Sequence, residues 1–259
     1  MSAIFHSILY QPIFNLFVWL YNVVPGHDVG VVIFVVTVLV RLVLYPLTSS
    51  SIKAQKSMQE LQPKLEALKK QYPDDKQKQA QATMELYKTH KINPLSSCLP
   101  MLIQLPILLA LFWVMRDSLA SHNLAENLYA FVQNPGTINP VSFGFINLAT
   151  PSIVLAVLAG LAQFLQAKTL STRQPPKDAG EGAKDEGMAA MMNKQMLYMM
   201  PVLTVIIGIR FPAGLTLYWF LSTALMVLQQ MIITKKSPPP TGGLPPSAGG
   251  NVIEGTIVK

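Results

Sequence analysis

None of the 13 acidic residues of this 259-residue chain falls inside one of its long apolar runs. Asp28 and Asp117 stand at the edges of such runs, and the others lie in polar stretches. A proton-coupled pump needs a carboxylate or histidine relay at membrane depth, and His6, His27, His90 and His122 also lie outside the five runs. That class is disfavoured. Cysteine is equally scarce: the single Cys98 excludes an internal disulfide framework, and its depth in the chain excludes an N-terminal lipid attachment there. The HExxH, P-loop and GxSxG motifs are missing, as is any Cys/His cluster of ligand spacing, so neither an enzyme nor a resident metal or cofactor is expected. The first residues carry no basic region and no small-residue cleavage site, so they do not read as a cleaved signal peptide.

What the chain has is oil-soluble side chains. Hydrophobic residues make up 51% and charged residues 13%, against about 25% charged in ordinary globular domains. Mean hydropathy is +0.37. Five runs are apolar enough to span a membrane, at 29–46, 95–115, 151–167, 197–209 and 215–233, although the fourth falls short of the usual ~20 residues. The expected fold class is all-α: a polytopic bundle of five transmembrane helices with a cytoplasmic antiparallel helical hairpin. Its divisions are an outer interfacial amphipathic helix (1–28), a first span (29–50), the hairpin (51–93), a second span (95–115), an outer loop (116–150) and a third span (151–168). A loop without fixed structure (169–190), a fourth span (191–210), a fifth (214–234) and an unstructured cytoplasmic tail (235–259) follow. Pro12, Pro25, Pro46, Pro94, Pro212 and Pro238 are expected at or near segment ends, where a missing N–H costs least. Ile4, Phe5, Ile8, Leu9, Ile13, Leu16, Phe17 and Leu20 recur at helical spacing and mark the first segment as interfacial, with a sixth span as its alternative.

The basic residues set the orientation. They gather at 53–91, at 168–194 and at the C-terminal end, whereas Arg116 and Arg210 stand at span edges on the other side. The positive-inside bias therefore places the N-terminus outside and the C-terminus in the cytoplasm of a multi-pass membrane protein. In the stretch between the first two spans, Met58, Leu61, Leu65, Leu68 and Tyr72 recur every three or four residues. "YPDD" then breaks that helix and offers Asp74 or Asp75 as the cap of a second one.

One residue stands against the pattern. Arg41 lies within "VVIFVVTVLVRLVLYPL", and a guanidinium cannot shed its proton to ease burial. An unpaired arginine at mid-helix costs about 2.5–3.5 kcal/mol on insertion scales. It could snorkel to the headgroups past Pro46, or face water inside the bundle. Polar stripes favour the second reading: Thr37, Arg41, Tyr45 and Thr48 share one helical face, Ser97 and Gln104 another, Gln163 and Gln166 a third, and Tyr218, Ser222 and Gln229 a fourth, flanked by Trp219. A lone glutamine in a span is ordinarily helix–helix glue, but four stripes and a charge point to a shared hydrated concavity. With no acid inside the protein, the counter-charge would arrive on a visitor. Met188, Met191, Met192, Met196, Met199 and Met200 crowd the approach to the fourth run, where flexible thioethers suit varied apolar partners as well as plain packing.

Four stretches carry a resemblance: "VLVRLVLYPLTSSSIKAQKSMQELQPKLEALKKQY", "INPLSSCLPMLIQLPILLALFWVM", "MLYMMPVLTV" and "FPAGLTLYWFLSTALMVLQQ". In order and spacing, the chain resembles the YidC/Oxa family of membrane-protein insertases, of the type without a large outer domain. The resemblance implies a helical bundle around a hydrophilic groove, with Arg41 drawing in acidic or polar tails of clients. Gln104, Tyr218 and Trp219 match further family positions in the second and fifth spans, and the hairpin at 51–91 matches one linked to client delivery. Nascent membrane proteins would be the clients, with the Sec translocon and the ribosome as further partners, lipid as the solvent, no specific nucleic acid and a monomer as the working unit. The tail is poor in basic residues, unlike the long basic ribosome-binding tails of some members. The expected function is an energy-independent insertase and chaperone. Its groove is built from Arg41, Thr37, Gln104, Gln163, Tyr218, Trp219 and Ser222, with Met192, Met196, Met199 and Met200 as apolar client contacts. A small-solute channel or transporter lined by the same stripes, and a passive scaffold, are the alternatives.

Overall fold

The computed structural model of the chain describes residues 3–73, 75–90, 92–93, 99–120, 124–170 and 184–236. Seven helices account for most of them: α1 (Ala3–Val23), α2 (Val29–Gln71), α3 (Lys76–Thr89), α4 (Leu99–Ala120), α5 (Ile153–Leu170), α6 (Lys184–Gly208) and α7 (Ala213–Lys236). Four stretches are long and apolar enough to cross a membrane, Ala3–Val23, Val29–Leu65, Leu102–Leu119 and Ala213–Lys235; Ile153–Thr169 and Leu197–Gly208 are shorter apolar helices. The protein is an all-α polytopic membrane protein.

Side-chain pairs fix the helix directions. Arg41 meets Ser222 and Thr48 meets Gln229, so α2 and α7 run parallel. Gln166 meets Met226 and Thr169 meets Gln230, so α5 is parallel to α7 as well. The bond of Gln104 with Tyr218, and a Met115 sulfur 3.1 Å from where a Cβ on Gly214 would stand, make α4 antiparallel to α7. The seam between α5 and α6 is antiparallel and tight. A Cβ on Gly160 would stand 2.5 Å from Val205, and one on Gly208 would stand 3.0 Å from the Ala156 Cβ. Small residues let two backbones approach where lipid supplies no hydrophobic drive to push them together.

Two proline expectations are corrected. Helix α2 continues for 43 residues straight through position 50, with Pro46 and Pro63 inside it, so the first span and the hairpin's first arm are one element. A membrane helix tolerates the missing N–H when neighbours take up freed backbone groups; here the Gln229 amide reaches the Tyr45 carbonyl at 3.4 Å, beside Pro46. Pro12 likewise lies within α1, just past a π-helical turn at His6–Tyr10 that widens the backbone before the ring. Asp75 caps α3 by accepting from the Lys78 N–H at 3.0 Å. Helix α3 returns against α2, with His90 Nε2 3.0 Å from Lys64 Nζ.

The segment expected to lack structure at 169–190 is helical at its near end, where α5 runs to Leu170, and again from Lys184, where α6 begins. Its middle lies outside the described residues, as do Asp74, Pro94, Ser97 and the tail beyond Lys236.

A small antiparallel hairpin within 116–150, β1 (Val141–Ser142) paired with β2 (Ile146–Asn147), was not legible beforehand. Its turn places Phe143 at φ 51° and Gly144 at φ 79°, closed by the Phe145 N–H donating to the Ser142 carbonyl. Glycine fits that left-handed region freely, whereas a phenylalanine there carries a cost on the order of 1–2 kcal/mol. Asp28 anchors the hairpin. Its carboxylate caps α2 through the Gly30 and Val31 N–H groups and also accepts from the Ser142 hydroxyl at 2.5 Å and the Phe143 N–H at 2.6 Å. Under the loop, the Ala213 and Gly214 N–H groups donate to the Thr150 and Leu148 carbonyls at 2.9 Å, fastening the start of α7.

The core lies at this loop end of the bundle. Tyr10, Phe14, Phe17 and Val18 of α1 pack with Val29, Val32 and Val36 of α2, Leu111 and Val114 of α4, and Leu215 of α7.

Candidate functional site

Two stripes of matched spacing meet inside the bundle. On α2, Thr37, Arg41 and Thr48 are four and seven apart, and on α7 so are Tyr218, Ser222 and Gln229. The helices are parallel with a constant offset of 181 residues, so both bonded pairs recur one heptad apart. A seven-residue repeat keeps facing positions together along two gently crossing helices.

Arg41 is held by a single hydroxyl. Its Nε and Nη2 donate to Ser222 Oγ at 3.0 and 2.6 Å. Nη1 is buried and has no hydrogen-bond partner among the described residues. No ion pair among those residues involves Arg41. Hydrogen bonds to a charged group are worth about 1.5–3 kcal/mol. Ser222 therefore offsets much of the cost of placing the guanidinium among apolar helices, but it leaves both N–H groups of Nη1 without a partner.

Beside this group opens a pocket of about 250 Å³, partly open to solvent, lined by Arg41, Leu44, Leu47, Thr48, Ile103 and Gln104. Toward the loop end, Gln104 Nε2 donates to the Tyr218 hydroxyl at 2.8 Å. Tyr218 is 2% exposed, and its ring also walls a second cavity of about 210 Å³, lined by Phe17, Ile33, Val36, Leu111, Met115 and Gly214. Tyr218 thus stands between the pocket beside Arg41 and a second, wholly apolar one. Toward the opposite end, the Thr48 hydroxyl and the Gln229 amide bond each other at 3.0–3.2 Å.

The remaining expected residues fall elsewhere. Thr37 is fully buried one turn from Arg41, and its hydroxyl donates to the Ile33 carbonyl of its own helix at 2.6 Å. Gln163 is half-buried on α5, which packs on α6 and α7, and does not line the pocket. Trp219 is half-buried, one step round α7 from Tyr218, and also lies off the pocket wall. Met199 and Met200 are exposed on α6 at 47% and 37%, while Met192 and Met196 stand in that helix with side chains outside the described set. Leu44, Leu47 and Ile103 complete the wall, and their only sequence signal is helical adjacency to Arg41 and Gln104.

Fold and site together define a helical membrane protein that keeps a hydrogen-bonded cation beside a pocket between its spans. The model of the 60Kd inner membrane protein family matches residues 19–240, and the chain belongs to that family. It is 37% identical to the membrane protein insertase YidC of Fusobacterium nucleatum subsp. nucleatum over 227 residues, which cover 86% of this chain and 95% of that protein. Proteins of the same name from Methylobacillus flagellatus and Ectopseudomonas mendocina are 34% and 35% identical over 86% and 85% of this chain. Of those two longer relatives the chain spans 35% and 33% of the length.

Proposed function

We propose that the chain is a membrane-protein insertase in which Arg41 attracts a polar or acidic segment of a client into the bundle before the client's apolar span moves into lipid. The observation that carries this reading is the unused Nη1 donor of a buried arginine beside a pocket, with no acidic side chain paired to it among the described residues. A charge left in this state is ready for an external acceptor, and the low dielectric around it strengthens the attraction. Partition of the client's span, at about 25 cal/mol per Å² of apolar area, then drives release without nucleotide.

Arg41, Leu44, Leu47, Thr48, Ile103 and Gln104 line the pocket closely, so passage of a chain segment requires α2, α4 and α7 to part. The Gln104–Tyr218 bond and the second cavity lie on the side toward which a client segment would travel.

Hydrogen bonding supports an outer, interfacial place for α1. His6, Asn15 and Asn22, spread along the helix, bond to Asn127, to the Asn127 and Tyr129 backbone, and to the Gln133 carbonyl, all within one loop. If α1 crossed the bilayer, that irregular backbone would have to cross beside it, which hydrocarbon does not permit. With α1 and the 116–150 loop outside, the basic residues of α2 beyond position 52 and those of α3 fall in the cytoplasm, leaving five crossings.

The test uses purified chain in lipid vesicles and a single-span client with an acidic translocated tail. Arg41→Ala is expected to slow insertion about tenfold, the equivalent of about 1.4 kcal/mol in the limiting barrier. Equal rates for both proteins reject the role of Arg41. Failure of the unaltered chain to insert any client rejects the insertase reading itself, and solute leakage dependent on the same residue would indicate a channel.

A further inference from the structure

The turn of the β1–β2 hairpin carries two large, exposed apolar side chains that the site does not use. Phe143 is 61% exposed and Phe145 is 78% exposed, on either side of Gly144. Phe143 also occupies a left-handed backbone position, at φ 51°. Asparagine or glycine would sit there without strain. A bulky aromatic in a strained turn persists when the surroundings hold it, and such positions mark function more often than chance. Asp28 is what holds it, through the Phe143 N–H and the Ser142 hydroxyl.

The same bonds fix the height of the turn. Asp28 is the N-cap of α2, so Phe143 leaves the backbone level with the first residue of a membrane-crossing helix. A second marker agrees. Helix α5 has 18 residues, about 27 Å of rise, barely the thickness of a bilayer's hydrocarbon core. Its exposed apolar stripe, Ile153, Val154, Val157, Leu161 and Leu165, begins in its first turn. The hydrocarbon boundary on this side therefore lies close to Ile153, six residues past the end of β2. The segment 141–146 reads Val-Ser-Phe-Gly-Phe-Ile and carries no charge. Exposed phenylalanines at that depth bury their rings at the boundary between headgroups and acyl chains, as on the apolar face of an interfacial helix.

We infer that the hairpin tip, through Phe143 and Phe145, is inserted into the interfacial zone of the bilayer leaflet on the loop side, as a rigid lipid anchor continuous with the lipid-facing stripe of α5. The inference rests on the membrane-spanning fold and not on the insertase reading. Its partner is the glycerol and upper acyl region of ordinary phospholipid.

The single native cysteine makes the test direct. In a Cys98→Ser background, Phe145→Cys is labelled with an environment-sensitive nitrobenzoxadiazole dye and reconstituted in phosphatidylcholine vesicles, with Asn134→Cys as the comparison site in the same loop. The label at 145 is expected to emit at shorter wavelength, to be quenched by shallow doxyl-labelled lipid, and to resist aqueous iodide at least fivefold better than the label at 134. Equal iodide quenching at both sites overturns the inference. So does protection from iodide without lipid quenching, which would indicate a second copy of the chain covering the tip. Unaltered protein supplies the second measurement. Phosphatidylcholine carrying a diazirine near its headgroup should crosslink to residues 141–147 as well as to the start of α5, and crosslinks confined to α5 refute the anchor.

Discussion

Arg41 spends two of its guanidinium N–H groups on one oxygen, Ser222 Oγ, at 3.0 and 2.6 Å. The serine thereby fixes the fork, and only one edge of the cation is left for another acceptor. That Nη1–Nη2 edge carries two N–H groups pointing the same way, the geometry with which arginine holds a carboxylate bidentately.

Replacing Ser222 by Ala removes that acceptor and leaves further buried donors unpaired. The expected loss is about 1–3 kcal/mol of stability in detergent or bicelles, read as a lower midpoint of thermal unfolding. Adding Arg41→Ala to the same chain should recover most of that loss, because the orphaned charge is then gone. Additive losses in the double variant would show that the two side chains are not energetically coupled.

Gln104 and Tyr218 offer a second cycle. Tyr218→Phe leaves the Gln104 amide facing an apolar ring and is expected to cost about 1 kcal/mol. Gln104→Leu combined with Tyr218→Phe should cost less than the sum of the single changes, by about 0.5–1 kcal/mol. Denaturant or thermal titration of all four proteins measures the coupling.

Asp28 carries the pH prediction. Burial opposes its ionisation, but hydrogen bonds from Ser142, Phe143, Val31 and Gly30 outweigh burial and hold the carboxyl below its ordinary range. A carboxylate with a depressed native pKa contributes stability that is fully present above the unfolded value of about 3.9 and is lost as pH falls through the native one. Asp28→Asn should therefore flatten the acid limb of the unfolding midpoint below about pH 5, with little change in its shape at neutral pH. Asp28→Ala should lower the neutral midpoint too, since loss of an N-cap alone costs about 0.5–2 kcal/mol. An identical acid limb in the Asn variant would contradict this assignment.

The α5–α6 seam should resist any side chain at Gly160. A Cβ there meets Val205 at 2.5 Å and the Pro201 carbonyl at 3.1 Å, and the latter is backbone that cannot swing aside. Gly160→Val is expected to cost about 1–3 kcal/mol by overpacking. A broadened size-exclusion profile and a lower unfolding midpoint are the readouts, and unchanged behaviour would mean that the seam opens freely.

The apolar runs, the helical hairpin and the Asp75 cap were legible because each is written locally in period, length and a capping residue. The stripes around Arg41 and Ser222 were legible for the same reason, and their identical four-and-seven spacing already held the register between α2 and α7. Gln163 and Trp219 were grouped with Arg41 because a polar or aromatic residue in a span shows its own helix face, but not which neighbour that face meets. Pro46 was read as an end because local backbone chemistry disfavours it inside a helix. Nothing local reveals that Gln229, on a helix far along the chain, bonds the adjacent carbonyl. The β-hairpin escaped notice because each of its strands is two residues long and its turn breaks the usual residue preference.

Helix α2 has a mechanical consequence. Arg41 and the far tip at Gln71 ride on one continuous helix, about 45 Å apart along its axis. Such a rod is braced between them by the clasp of Thr48 with Gln229. The rod can flex at Pro46 and Pro63, so a push on the far arm is absorbed first at Pro63 and held off Arg41 by the clasp at Thr48.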